Sequence, residues 1–349
     1  MADNTRAAPS NTEELARLSD TELRAAVLND LEMTTARGTD FNPADIAYLV
    51  QESLATLQER LGAILGSYDE LPSAMARAWQ LLTENRDSGG LADFFLLFVA
   101  AIALGGLCHW ALKPIKQRLF GPEDQQAQIP LTAKFKRFAA CLIADGIRIM
   151  GFALTAGLVF LIFAGDDPRD RLAFVYYLSA CLLMLGITAF LRAYLSPTAL
   201  QYRIPSIDAG PAKRLFISQL FAMALGAFGF FTCALFAVLG VTGDAHYLLL
   251  SLVGVALTTG LVASFTLEHR TLTRAVMADR TTGLRARLAP LFPWALIALA
   301  IALFAGLVMG GILGATPLFG AGLLTLGIAT YWPPIDATLS KGARDAQNQ

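Results

Sequence analysis

From Leu91 onward the apolar residues neither alternate nor follow a stripe; they run on all sides of any helix they would form. The runs lie near Leu91–Leu112, Phe138–Ala164, Leu172–Leu195, Leu215–Val241, Tyr247–Leu267, Leu291–Gly311 and Leu313–Trp332. Each is long enough to cross a hydrocarbon layer of about 30 Å at about 1.5 Å per residue. A water-soluble fold has no means of covering so many all-round apolar segments, whereas a bilayer does. The pattern therefore predicts an all-α, polytopic transmembrane helix bundle of about seven spans. The last two runs nearly touch around 310–317 and predict a helical hairpin or one broken helix.

The pattern ahead of Leu91 is different. Ser19-Asp-Thr-Glu22 is a capping box, followed by Leu23, Val27 and Leu31 at helical spacing. The stretch 38–43 interrupts that helix, and Asn42-Pro43 starts another, Asn42 as N-cap and Pro43 at the first helical position. The next helix carries Ile46, Val50, Leu54, Leu57, Leu61, Ile64, Tyr68, Leu71 and Met75, a stripe near the 3.5-residue period of a packing seam. Pro72 marks a kink, or a break into a further helix holding Trp79 and Leu82. A small helical hairpin and an oligomer-forming coiled coil both fit this stripe. The domain organisation expected is an acidic soluble helical segment over 1–90, a transmembrane helical domain over 91–340 and a short tail over 341–349.

Composition sharpens the division. Charged residues make up 16% of the 349-residue chain, against roughly a quarter in soluble domains. Residues 1–90 hold seven Arg, no Lys and fifteen acids, a net charge of −8, while the whole chain is at −1, so the remainder is basic. Those basic residues cluster beside apolar runs, which reads as topology and not as a nucleic-acid surface. Lys and Arg number six in 113–137, two in 165–171, four from Arg192 to Arg214, none in 242–246, five from Arg270 to Arg287, none between the last two runs, and two in the tail. By the positive-inside rule this alternation supports seven spans, with the N-terminus outside and the C-terminus cytoplasmic. Met1–Pro9 is polar and has no apolar core stretch of a signal peptide. Export of the acidic head is therefore expected through the first span or through a leader that this sequence does not include.

Candidate chemistry is sparse. Cys108, Cys141, Cys181 and Cys233 are scattered through apolar runs and read as packing residues, and the three histidines are equally dispersed. No Walker loop, HExxH or GxSxG motif is present. No enzyme activity, metal or cofactor is expected. Asp145 and Arg148, three apart in the second run, pair on one helix face. They mark either an intramembrane functional site or a cytoplasmic boundary where long side chains snorkel to water. Ala298, Ala302, Gly306, Gly310 and Gly314 repeat every four residues, a face for close helix approach or for lining a pore. Between the third and fourth runs lies a proline-punctuated connection holding Pro197, Arg203, Pro205 and Asp208, whose prolines favour an extended or turned path over a helix.

The stretch from Phe190-Leu-Arg-Ala-Tyr-Leu-Ser-Pro197 through Tyr-Arg203-Ile-Pro205-Ser-Ile-Asp208 to Lys213-Arg214 resembles a connection in larger bacterial members of the small-conductance mechanosensitive channel superfamily, the moderate-conductance branch above all. Glu268-His-Arg-Thr-Leu-Thr-Arg274 is similar to a basic loop there, and the amphipathic Leu57–Trp79 region is similar to the helical head that precedes the spans. The resemblance covers roughly 50–340. It implies a multi-pass protein of the bacterial inner membrane, in contact with lipid, that biases a downstream pore in response to tension. The family's Gly- and Ala-rich pore helix and β-domain have no counterpart in this sequence. The expectation is thus a sensor or accessory region that does not conduct alone, forms homo-oligomers through a pore module absent from this chain, and binds no nucleic acid. A multi-pass transporter or permease and a membrane scaffold with an extracytoplasmic partner are the alternative readings.

Overall fold

The computed structural model describes residues 51, 55, 58–59, 61–83, 88–114, 131–164, 167–196, 203–205, 207–277, 284–312 and 325–336. The chain divides into two compact units, Met1–Glu59 and Arg60–Gln349. The four described residues of the first unit are helical. The second unit holds all the elements that can be traced along the chain, and it is helical throughout, with no strand among the described residues.

A helical stretch at 61–66 leads through a 3-10 turn, Ser67–Asp69, into α1, Leu71–Thr83. Pro72 sits at the start of α1, where its missing N–H has no partner to lose, so it marks a break and not a kink. The long helices come next: α2, Ser88–Ala111; α3, Leu131–Phe163; α4, Pro168–Leu195; α5, Ala209–Val238; and α6, Asp244–Leu267. After them stand two short helices, α7, His269–Met277, and α8, Leu284–Leu288. A 3-10 turn at Ala289–Leu291 then leads into α9, Phe292–Ile312, and a last helical segment, α10, covers 325–336.

Six helices, α2 to α6 and α9 with the turn before it, are long and apolar enough to cross a membrane. Only 11–33% of the residues in their apolar stretches are buried within the chain. Leu96, Trp110, Ile143, Leu154, Phe163, Phe221, Val255 and Ile301 are all exposed, an unsupportable surface in water and an ordinary one in lipid. The chain is a multi-pass, all-α membrane protein. The seventh expected run, Leu313–Trp332, falls mostly outside the described residues; its last eight residues lie in α10.

The boundary expected near residue 90 lies earlier. Ile64, Ser67, Leu71, Ala74 and Ala78 are buried, and the 3-10 turn and α1 pack against α6. Arg169, at the start of α4, donates through Nη1 to the Leu81 carbonyl. The stretch 61–83 therefore belongs with the spans. Of the expected seam, Ile64 and Leu71 are buried, whereas Tyr68 and Met75 are exposed; Ile46, Val50, Leu54 and Leu57 lie outside the described residues.

Each span packs chiefly on its neighbours in sequence: α2 on α3, α3 on α4, α4 on α5, α5 on α6, and α6 on α9. Among the described residues, α2 and α9 make no substantial contact with each other. Packing is closest where a glycine removes the side chain. A Cβ on Gly105 of α2 would lie 3.0 Å from the Phe152 carbonyl oxygen of α3, and one on Gly229 of α5 would lie 2.5 Å from Cγ1 of Val253 of α6. Gly260 of α6 stands in the same relation to Ala222 of α5, with its Cβ 3.0 Å away. Toward the end that carries 165–171 and 239–246, Phe160 stacks on Phe174 at 3.8 Å between ring centroids, with Ala101 and Ala156 beside them. The larger core lies at the opposite, basic end, where Tyr194, Ile204, Leu215, Phe265, Leu272, Leu296 and Leu326 meet.

Candidate functional site

The basic end concentrates the buried polar chemistry of the described residues. The connection after α4 turns there. Ser196 adopts a left-handed conformation, φ 36°, and its N–H bonds back to the Arg192 carbonyl at 3.0 Å. An L-residue holds that geometry only when its surroundings fix it. Arg203 supplies the fixing. It is 3% exposed, donates from Nε to the Leu195 carbonyl at 2.7 Å and from Nη2 to the Ser196 carbonyl at 3.3 Å, and donates from Nη1 to the Ile207 carbonyl. A guanidinium presents five donors in one plane, so a single side chain satisfies the end of α4 and the approach to α5 together. Burial lowers the Arg203 pKa and the Asp208 carboxylate partly restores it. Asp208 itself is exposed and precedes the first turn of α5, where its backbone carbonyl accepts from the Ala212 N–H. Pro205 is fully buried beside Ile204; Pro197 lies outside the described residues.

A second cluster joins α5 to the junction of α6 and α7. Glu268 is buried, and its carboxylate accepts from Arg214 Nε at 2.7 Å and from the Thr271 hydroxyl at 2.7 Å. One turn deeper, the Ser218 and Ser264 hydroxyls share a hydrogen bond of 2.7 Å. A third contact anchors α10: the Tyr331 hydroxyl donates to Gln219 Oε1 on α5, and the Tyr194 hydroxyl of α4 donates to the Tyr331 carbonyl at 3.3 Å. Phe190 packs edge-on against Tyr331 at 5.1 Å.

Asp145 and Arg148 are brought together. Both are buried, and Arg148 Nη1 lies 2.8 Å from Asp145 Oδ1. Arg148 Nε also donates to the His109 carbonyl, 3.1 Å away in the last turn of α2. The cation thus caps a helix C-terminus, where carbonyls lack intrahelical donors and the dipole favours positive charge. Counted from Phe163 at the other end of α3, Asp145 is about 27 Å and Arg148 about 22 Å along the helix. A hydrocarbon layer of about 30 Å that starts at Phe163 therefore ends close to the pair. On that count both residues fall just inside such a layer, and both are buried within the chain.

The small-residue face behaves otherwise than its spacing suggests. Ala298, Ala302 and Gly306 are exposed, and no described atom lies within 4 Å of a Cβ on Gly306. Gly310 is helical, and Gly314 lies outside the described residues. Among the described residues, the glycines that admit a neighbouring segment are Gly105, Gly151, Gly226, Gly229 and Gly260, which carry no repeat in sequence. Sequence reasoning also passed over Glu268 and Gln219. The signal for Gln219 is a lone amide in an otherwise apolar span, and the signal for Glu268 is an acid among arginines.

A cleft of about 450 Å³ opens between α2 and α3, with Phe94, Leu97, Leu104, Phe160 and Phe163 as walls and Asp93 and Asp170 at its rim. Its walls run along α2 from 93 to 104, about 16 Å of helix and so about half a bilayer. It offers no path between the two sides. Among the described residues no three His, Cys, Asp or Glu side chains converge on a possible metal position. No family model matches the chain, and no curated protein or solved structure matches it significantly.

Proposed function

We propose that this chain is a membrane-embedded sensor or accessory region of a mechanosensitive ion channel, lying in a bacterial inner membrane with its acidic head outside and its basic end cytoplasmic. The observation that carries the reading is the packing order of the spans. Successive helices lean on sequence neighbours, and among the described residues α2 and α9 make no substantial contact. Such a row changes its in-plane area by tilting or splaying, without breaking a closed ring. Tension acts only on states that differ in area, so an extensible row is what a tension sensor requires. The connection held by Arg203 and the α10 segment held by Tyr331 then carry the change of the row to whatever pore module it serves.

Patch-clamp recording from bilayer patches tests the proposal. The chain alone gives no tension-gated current. Fused to a small-conductance pore module, it shifts the tension at half-opening relative to the module alone. Identical gating curves with and without the chain remove the sensor reading, and stretch-activated current from the chain alone shows that it contains a pore.

A further inference from the structure

We infer that the exposed face of α7 is a binding surface for anionic lipid headgroups. Helix α7 is amphipathic: Thr271, Leu272, Ala275 and Val276 are buried, while His269, Arg270 and Arg274 are exposed. Its buried face packs on α9 and on the 3-10 turn before it, so the helix is held against the basic end of the row. Arg287 on α8, which touches α7, is exposed as well. The nearby carboxylate, Glu268, is already occupied by Arg214 and Thr271. Among the described residues no carboxylate forms an ion pair with Arg270, Arg274 or Arg287.

The occupant is dictated by what surrounds these arginines. Leu267 at the end of α6 is 76% exposed, and Leu288 at the end of α8 and Leu291 and Trp294 beyond it are 51%, 59% and 61% exposed. Those apolar side chains belong in the acyl region, and an exposed Trp marks its interface. The arginines between them lie at headgroup depth. A nucleic acid or an acidic protein would have to enter the interface to reach them, whereas a phosphodiester headgroup is already there. Arginine also matches phosphate geometry with paired donors. The inference concerns lipid chemistry and does not rest on the sensor reading.

The full chain is reconstituted in phosphatidylcholine containing a trace of spin-labelled phosphatidylglycerol or spin-labelled phosphatidylcholine. The motionally restricted fraction gives the relative affinity of the two. The wild-type chain prefers the anionic lipid. Arg270→Gln with Arg274→Gln reduces that preference by about fivefold for each charge removed. Arg270→Lys with Arg274→Lys keeps most of it. In the wild type the preference also weakens between low and high salt, as a headgroup contact open to water must. A double Gln variant with the wild-type preference, a Lys variant as weak as the Gln variant, or a preference indifferent to salt would each overturn the proposal.

Discussion

Arg203 joins three backbone carbonyls that no other described side chain serves, and this makes it the most vulnerable residue of the basic-end core. Its replacement by Met keeps much of the volume but leaves the carbonyls of Leu195, Ser196 and Ile207 without their donor. Loss of charge-assisted bonds at a buried site costs about 3 kcal/mol or more. Arg203→Lys recovers little, because one ammonium cannot reach all three acceptors in the plane of a guanidinium. Thermal unfolding in detergent is expected to show both variants well below the wild type, the Met variant lowest. The Asp145–Arg148 pair calls for a double-mutant cycle. Arg148→Met alone removes the cation beside Asp145 and the donor to the His109 carbonyl, and Asp145→Leu alone removes the carboxylate beside the guanidinium; each costs about 3–5 kcal/mol. The double variant is expected to recover a large part of that loss, because no uncompensated charge then remains buried.

At the scale of helices, close approach is decided by single glycines. Gly105→Val and Gly229→Val place a branched side chain where the neighbour is a backbone oxygen or a stiff valine, and overpacking of this kind costs about 1–3 kcal/mol. Gly306→Val meets no described atom and is expected to leave the unfolding temperature of the isolated chain nearly unchanged. The contrast between these glycines marks what a sequence can and cannot reveal in a membrane. The spans were legible because an unbroken apolar run answers to the bilayer alone, and the first six expected runs fall within or close to the helices. Two of the basic ends reach beyond the expected runs: α3 begins at Leu131 and not Phe138, and α5 at Ala209 and not Leu215. Helices continue past the hydrocarbon into headgroups, where the apolar signal has already ended. The packing glycines were not legible. In lipid, a face that meets a helix and a face that meets acyl chains are equally apolar, so the stripe from Ala298 to Gly314 had a period without a direction. Asp145–Arg148 were legible as polar residues in an apolar run and Arg203 as part of a proline-punctuated connection, but the carbonyls the two arginines serve come from backbone, which every residue carries.

For the whole molecule, orientation comes first. With Cys108, Cys141, Cys181 and Cys233 replaced by Ala, single cysteines at the exposed positions Asp208 and Arg274 are expected to react with an impermeant thiol reagent from the cytoplasm only. One at exposed Thr242 is expected to react from outside. The opposite labelling would place the acidic head in the cytoplasm. The central claim goes further and holds that the row of spans widens under tension. Its most direct test is a distance across the row. Spin labels at Leu104 on α2 and Ile301 on α9, both exposed to lipid, report the separation of the two edges by pulsed electron resonance. The reconstituted chain is measured in bilayers of normal thickness and in bilayers thinned by short acyl chains or by stretch. The account predicts that the distance distribution moves to longer values as the bilayer thins, and returns when thickness is restored. A distribution that stays fixed while the bilayer thins would contradict it.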